Sequence, residues 1–403
     1  MLVRARLSGY SHPVAGHVLS SGSQSALREA NSARLLGAVR QFGGITQVEL
    51  AEATGLSPAT VSTIVKQLLL AGIVETRSTT RSGRRAQMVT LAHKSGLLVG
   101  AHIGTRALRL AIADSRFEIL AERTLPLPSD HRLDTTLDRT ALLAMELVDG
   151  LGSTTSEILG VGIGLPAPVD PTTGMILDQG LMRGWANVAI ADVVSSRINS
   201  PVVVDNDANL SALGEARFGA GRGFRDVLYV WASYGTGAGL IIDGEIHRGP
   251  RGTAGEIGHT LVDPQGPICR CGSRGCLDTL VGAQALIDSL RISRGPMSLS
   301  DLLEFASSGD PGCRQVVADA GAAIGVAVAN LAVAFNPEVV LVGGELAQTD
   351  VIFLDPIRAA VNHRVLISRE NPLEVRRGEL GSLAPVQGAL AMAAELAHVP
   401  GGR

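Results

Sequence analysis

The chain has little aromatic, lysine or cysteine content, and these shortages already narrow what it can be. Four cysteines, three of them within eight residues, are too few and too clustered for the disulfide framework of a secreted domain. Lysine is confined to Lys66 and Lys94 among 35 basic residues, a bias toward arginine that carries no functional message. No apolar run of leader-peptide length follows Arg4 and Arg6 before His12, Pro13 and His17, so a cytoplasmic protein is expected. The longest uncharged apolar stretch, Ala320 to Pro337, contains Asn330 and Asn336 and runs into Glu338. It reads as a buried helix and not a membrane span. What is present is globular: 403 residues, 45% hydrophobic and 18% charged, with 48 glycines and only 12 aromatics, length for two or three domains and no sign of disorder or coiled coil. Net charge is −3, yet the first 94 residues sum to +7 and the remaining 309 to −10. A basic head on an acidic body points to a nucleic-acid-binding unit attached to one that binds something else.

The head spans residues 28–92 and follows an arm, residues 1–27, expected to be mobile. Helical spacing through Leu35, Leu36 and Val39 stops at Phe42-Gly43-Gly44. Thr46 can cap a short second helix, and Gly55 supplies the turn after Thr54. Ser57-Pro58 then starts a third helix with Val61, Ile64, Val65, Leu68 and Leu69 inward. Its other face carries Ala59, Thr60, Ser62, Thr63, Lys66 and Gln67, which with Ser57 form the candidate DNA-reading set. Any short amphipathic helix pair has a polar face, so this pattern alone is not decisive. Strands at Ile73–Thr76 and Met88–Leu91, joined by a loop holding Arg77, Arg81, Gly83, Arg84 and Arg85, complete the outline of a winged helix. Arg84 and Arg85 are the expected wing contacts to DNA.

Beyond Gly96 short apolar strands alternate with helices and glycine turns. Strands are expected at 97–101, 108–113, 119–123, 158–164 and 201–204, and again at 227–231, 239–242 and 339–342, which makes two similar α/β lobes, 97–208 and 209–398, with the final helix free to pack back on the first lobe. Asp205-Asn206-Asp207-Ala208-Asn209 follows one buried strand directly, at the carboxyl end where such sheets bind ligands. A carboxylate there can accept a sugar hydroxyl or take its proton. The plainer alternative is an Asx turn capping a helix from Asn209. The glycine turns Gly235–Gly239 and Gly343-Gly344 can approach a phosphate but have many structural uses. His259, Cys269, Cys271 and Cys276, spaced H-x9-C-x-C-x4-C, form a closed donor set for one structural zinc ion, since no position remains for water. Reactive redox cysteines are the alternative.

Four motifs in order resemble the ROK family of repressors and sugar kinases: Gly164-Leu165-Pro166-Ala167-Pro168-Val169-Asp170, Asp205 to Asn209, Ala254-Gly255-Glu256-Ile257-Gly258-His259, and Cys269-x-Cys271-Gly272-x-x-Gly275-Cys276. The resemblance runs from about Arg28 to Leu396. It implies an actin- and hexokinase-like body of two ribonuclease-H-like lobes, a sugar site in the cleft and dimers, with tetramers left open. It also implies sugar contacts from Asn206, Asp207, Glu256 and His259, with Asp207 at the kinase general base. Asp278 stands where the family has a Glu that meets the sugar. Family kinases carry Asp-Ile-Gly-Gly-Thr-Lys at the first strand, whereas this chain reads His102-Ile103-Gly104-Thr105-Arg106. Losing that carboxylate should remove phosphoryl transfer.

The resulting expectation is a non-enzymatic transcriptional regulator, a repressor of carbohydrate genes. Its dimer would sit on a roughly palindromic double-stranded operator and answer to a small sugar or sugar phosphate, with no membrane partner. The rivals are an active sugar kinase with a regulatory head, a DNA-binding protein whose body only dimerises, and a zinc or redox sensor.

Overall fold

The structure, a computed structural model, describes residues 24–42, 44–70, 73–81, 84–91, 96–176, 182, 184–364 and 372–396. The chain divides into two compact units, Met1–His93 and Lys94–Arg403.

In the first unit α1 spans Gln24–Phe42, β1 Ile45–Thr46, α2 Gln47–Thr54, α3 Pro58–Leu70, β2 Val74–Arg81 and β3 Arg84–Leu91. Helix α1 starts at Gln24, so the last four residues of the expected arm, 24–27, are helical; residues 1–23 lie outside the described residues. Thr46 caps α2 in a reciprocal box: its hydroxyl accepts from the Glu49 amide at 3.3 Å while the Glu49 carboxylate accepts from the Thr46 amide at 2.9 Å. Gly55 is left-handed (φ 66°) and turns the chain into α3. There Ser57 accepts from the Thr60 amide at 3.1 Å, and Val61, Ile64, Val65 and Leu68 are buried against Leu35, Val39 and Leu50. Strands β1, β3 and β2 form an antiparallel sheet in that order. The hairpin is longer than the residue pattern predicts, because pairing continues past Met88 to Arg81 opposite Arg84. Arg77 therefore belongs to β2 and not to the loop, its guanidinium donating to Glu75 at 2.8 Å. Residues 82 and 83, and the side chains of Arg81, Arg84 and Arg85, lie outside the described residues.

The second unit holds two sheets of the same plan. The first comprises β4 Leu97–Ile103, β5 Ala107–Asp114, β6 Ile119–Pro126, β7 Ile158–Leu165 and β8 Val202–Asn206, with α4 Leu133–Gly150 and α5 Ile190–Ile198 between them; its order is β6-β5-β4-β7-β8. The second comprises β9 Val227–Ala232, β10 Thr236–Ile242, β11 Glu245–Ile246, β12 Val339–Gly343 and β13 Glu374–Arg377, in the order β11-β10-β9-β12-β13. In each, three antiparallel strands are followed by two parallel ones. The inner parallel strands β7 and β12 are buried on both faces, hence their runs of Val, Ile, Leu and Gly. Helix α6 Asp207–Phe218 leaves β8 directly, and α7 Asp278–Val281, α8 Ala283–Arg294, α9 Leu299–Ser307, α10 Pro311–Phe335 and α11 Val351–Arg364 cover the second sheet. Helix α10 is the one described helix long and apolar enough to cross a membrane, but half of its apolar window is buried in the body, along Val317, Ala320, Ile324 and Val328.

The last helix, α12 Ala384–Leu396, packs across β4 and β7 of the first sheet and against α6. Glycine makes this approach possible. A Cβ on Gly388 would collide with the Leu210 carbonyl of α6, and one on Gly162 with the Ala389 carbonyl of α12.

Candidate functional site

A cleft of about 840 Å³ opens between the two sheets' carboxyl ends, and it gathers residues that are far apart in the chain. Asn206, Asp207, Glu256, His259 and Asp278 all line it, as do the glycine turn Gly235–Gly237 and Pro166.

The corner between β8 and α6 places the first two. Asn206 is the N-cap of α6, its side-chain oxygen accepting from the amides of Ala208 (2.8 Å) and Asn209 (3.2 Å), while its NH2 donates to the Ala167 carbonyl at 3.2 Å. The helix thus starts at Asp207, two residues before the Asx-turn expectation, and the capping and cleft-lining readings hold together in one residue. Asp205 turns away from the cleft and is held by Arg248 at 2.7 Å and by the Asn209 side chain at 3.1 Å. Asp207, with its side chain 8% exposed, sits in the first turn of α6, where the positive end of the helix favours negative charge. Its Oδ2 meets Nε2 of His102 at 3.2 Å. His102, on β4, is 4% exposed and stands edge-on to Trp231 with ring centroids 6.1 Å apart.

Glu256 and His259 lie on a 3-10 turn, their nearest charged atoms 4.0 Å apart and both side chains partly exposed. His259 presents Nδ1 to Cys269 Sγ at 3.5 Å and Nε2 toward Glu256, so one imidazole faces both the cysteine loop and the cleft. Cys271 and Cys276 sulfurs are 3.7 Å apart, and the four ligand atoms of His259, Cys269, Cys271 and Cys276 all lie within 4.8 Å of one another. This group can hold a metal ion. Gly275 (φ 66°) passes where a side chain would strike the Asp263 carbonyl, which is how the loop wraps closely enough to bring the sulfurs together. Burial, with the Cys271 and Cys269 sulfurs crowding it, pushes the Cys276 thiol up to about 12; a bound cation would supply the missing compensation.

Asp278 is held in a fixed orientation on the cleft wall. Its Oδ1 accepts from the Thr236 amide at 2.9 Å and its Oδ2 from Arg270 at 2.8 Å, which ties the cysteine loop to the start of β10.

Residue patterns missed several lining groups. Arg109 on β5 lies opposite His102 in register and pairs with Glu345 at 3.7 Å; Arg106 lies 5.6 Å over the Tyr234 ring; Arg270, His131 and Trp185 complete the wall. Counting across the β4–β5 turn could have found Arg109, and Glu345 follows Gly343-Gly344 directly. His131 carried no such signal: its place depends on Thr136, to which its Nδ1 bonds at 3.0 Å, and burial lowers its pKa.

In the head, Ser57, Ala59, Thr63, Lys66 and Gln67 are exposed and Thr60 and Ser62 half-buried, so α3 does present one continuous polar face. Part of it is engaged locally, since Thr63 donates to the Ala59 carbonyl at 2.9 Å and Ser57 shares a 2.8 Å bond with Thr60.

The two five-stranded lobes around a cleft define an actin- and hexokinase-like body, and the three-helix unit with its β-hairpin a winged helix-turn-helix. A profile described as the ROK family matches residues 98–396, and one described as the MarR family matches residues 29–85. The chain belongs to the ROK family. It is 28% identical over 387 residues to the xylose repressor of Caldicellulosiruptor bescii, covering 92% of this chain and 97% of that one. Among solved structures it is similar to a ROK family transcriptional regulator described as a homologue of the E. coli MLC protein (TM-score 0.75, 25% identity, 92% of this chain, 97% of the other). It is also similar to a ROK family glucokinase from Streptomyces griseus in complex with glucose and AMPPNP (TM-score 0.66, 30% identity, 74% of this chain, 100% of the other). The family thus holds both repressors and kinases.

Proposed function

We propose that this chain is a sugar-responsive transcriptional repressor of carbohydrate genes, working in the cytoplasm as a dimer whose kinase-like body has given up phosphoryl transfer. The observation that carries the reading is the His102–Asp207 contact: one oxygen of the carboxylate at the general-base position meets an imidazole, and that imidazole occupies the strand position where family kinases keep an acid. Phosphoryl transfer depends almost entirely on positioning metal-bound phosphates, so a chain with this substitution keeps the sugar site and loses the reaction. Asn206, Asp207, Glu256, His259 and Asp278 then serve to grip sugar hydroxyls, the Asp278 carboxylate being held on the cleft wall by the Thr236 amide and Arg270 with a lone pair left on each oxygen.

The metal would be one structural zinc. Zinc–sulfur bonds near 2.3 Å and zinc–nitrogen bonds near 2.0 Å in a tetrahedron separate ligand atoms by about 3.5 to 3.8 Å, which the Cys271–Cys276 and His259–Cys269 spacings match. With four protein donors no site is left for water, so its part is to fold the loop and orient His259.

In the head, the α3 face from Ser57 to Gln67 would enter the major groove, with Arg84 and Arg85 of the wing on the backbone or minor groove. A dimer places two such heads on a roughly palindromic operator. A sugar that binds one lobe arrangement better than another shifts DNA affinity by that difference and no more.

The test is fluorescence anisotropy of the purified protein on DNA from its own upstream region, titrated with a panel of sugars. One sugar should move the dissociation constant at least about five-fold, a coupling of about 1 kcal/mol. Tight DNA binding indifferent to every sugar would sink the responsive part. The kinase reading is supported by Asp207 lying in the cleft and by the glucokinase neighbour; a coupled assay with sugar-dependent ATP turnover on the order of 1 per second would restore it.

A further inference from the structure

The candidate sugar contacts come from two separate stretches of chain, Asn206-Asp207 in the first lobe and Glu256 to His259 in the second. An ion pair outside the cleft, Arg248 with Asp205, ties those stretches together. We propose that Arg248 is the positioning residue of this site, setting through Asp205 the spacing at which the contacts of the two lobes meet one sugar ring; the inference rests on the sugar-binding reading above. Neither Arg248 nor Asp205 lines the cleft, so the pair acts on a ligand only through other residues.

Arg248 belongs to a loop, residues 247–255, that grows from the second lobe and rests on the first. Both ends are fastened to β10: the His247 amide donates to the Leu240 carbonyl at 2.8 Å, and the Ala238 amide donates to the Gly255 carbonyl at 2.7 Å. The Ala254 amide donates to the Arg248 carbonyl at 3.1 Å, which closes the loop on itself and makes Arg248 move with Ala254-Gly255-Glu256. On the first lobe, Gly252 (φ 67°) passes where a Cβ would strike the Val169 carbonyl, and Arg248 Nε donates to Asp205 Oδ2 at 2.7 Å. The Asp205 side chain is 3% exposed, and its Oδ1 accepts from the Asn206 amide at 2.7 Å and from the Asn209 side chain at 3.1 Å. One oxygen thus holds the start of α6, which carries Asp207, while the other holds the loop that carries Glu256. The guanidinium also reaches the last helix, its Nη2 lying 3.8 Å from Met392 Sδ on α12. A buried ion pair adds little net stability over well-packed apolar groups, but displacing it leaves a buried charge unpaired, and so it favours one arrangement of the groups it joins. The bond to Asp205 runs through Nε alone and not through a two-pronged fork, so a lysine ammonium can take its place.

The test is isothermal titration of the full-length protein with glucose, mannose, galactose, xylose, N-acetylglucosamine and their phosphate esters, followed by the tightest of these on each variant. Arg248→Met should weaken it at least about ten-fold although the residue does not touch it, and Arg248→Lys should bring affinity back to within about three-fold of the parent. Combining Arg248→Met with Glu256→Gln separates positioning from general loosening. Once the loop is released Glu256 no longer sits where it grips, so the double variant should be at most about two-fold weaker than Arg248→Met alone, whereas independent losses multiply. Arg248→Met leaves Asp205 charged and buried; should it fail to fold, Asp205→Asn together with Arg248→Met removes that charge and replaces it in every comparison. Affinity within about two-fold of the parent, a lysine variant as weak as the methionine one, or losses that multiply would overturn the assignment of Arg248 and leave the sugar reading standing. If no sugar or ester binds the parent chain, both readings fall.

Discussion

Asp207 serves as a helix's first residue, a cleft carboxylate and the partner of His102, and its substitution separates those parts. Asp207→Ala leaves the head untouched, so DNA affinity in the absence of sugar should stay within about two-fold while the sugar-induced shift in anisotropy disappears. A normal sugar response in that variant would show that the ligand sits elsewhere. Cys276→Ser removes one of four converging donors from a buried loop. Metal content by atomic absorption should fall from one zinc per chain toward none, and sugar affinity should fall with it because His259 loses its anchor. Zinc retained at full stoichiometry would return the cysteines to a redox or packing role.

Among the elements, α2 and α12 carry the clearest mechanical duties. The Thr46–Glu49 box satisfies two amides at the start of an eight-residue helix that has little else to nucleate it. Thr46→Ala should cost about 1 kcal/mol of head stability, read as a lower denaturation midpoint of the helix signal, and should weaken DNA binding by loosening α3. Helix α12 lies so close to α6 that Gly388→Ala forces its Cβ onto the Leu210 carbonyl. Overpacking of this kind typically costs about 1–3 kcal/mol, and because α6 begins at Asp207 the sugar affinity should drop as well; an unchanged unfolding midpoint would mean the helices slide apart without loss.

For the whole molecule, the charge division between a basic head and an acidic body implies that electrostatic attraction to DNA belongs to the head alone. Lys66→Ala on the exposed face of α3 should weaken binding to all sequences by similar factors and reduce the slope of log affinity against log salt by roughly 1. A variant that changed sequence preference but not the salt slope would place Lys66 on base edges and not on phosphate.

Much of this was written locally. Caps, glycine turns and apolar spacing foretold α2, α3 and α6 and most strands of both lobes to within a few residues, because hydrogen-bond satisfaction at helix ends and burial on sheet faces act over a handful of neighbours. The close H-x9-C-x-C-x4-C spacing likewise announced its own convergence, since only one tight loop can bring such donors together. What needed the folded chain were contacts between residues more than a hundred apart. His102 reaching Asp207, and the α12 crossing at Gly388, depend on which strands become neighbours and how closely helices approach, and no short window of sequence contains that distance. Asp278 shows the difference in a single residue: its place after Gly275-Cys276-Leu277 was legible in the sequence, but only the tertiary structure brought the Thr236 amide and Arg270 to its two oxygens and so fixed how the carboxylate meets the cleft.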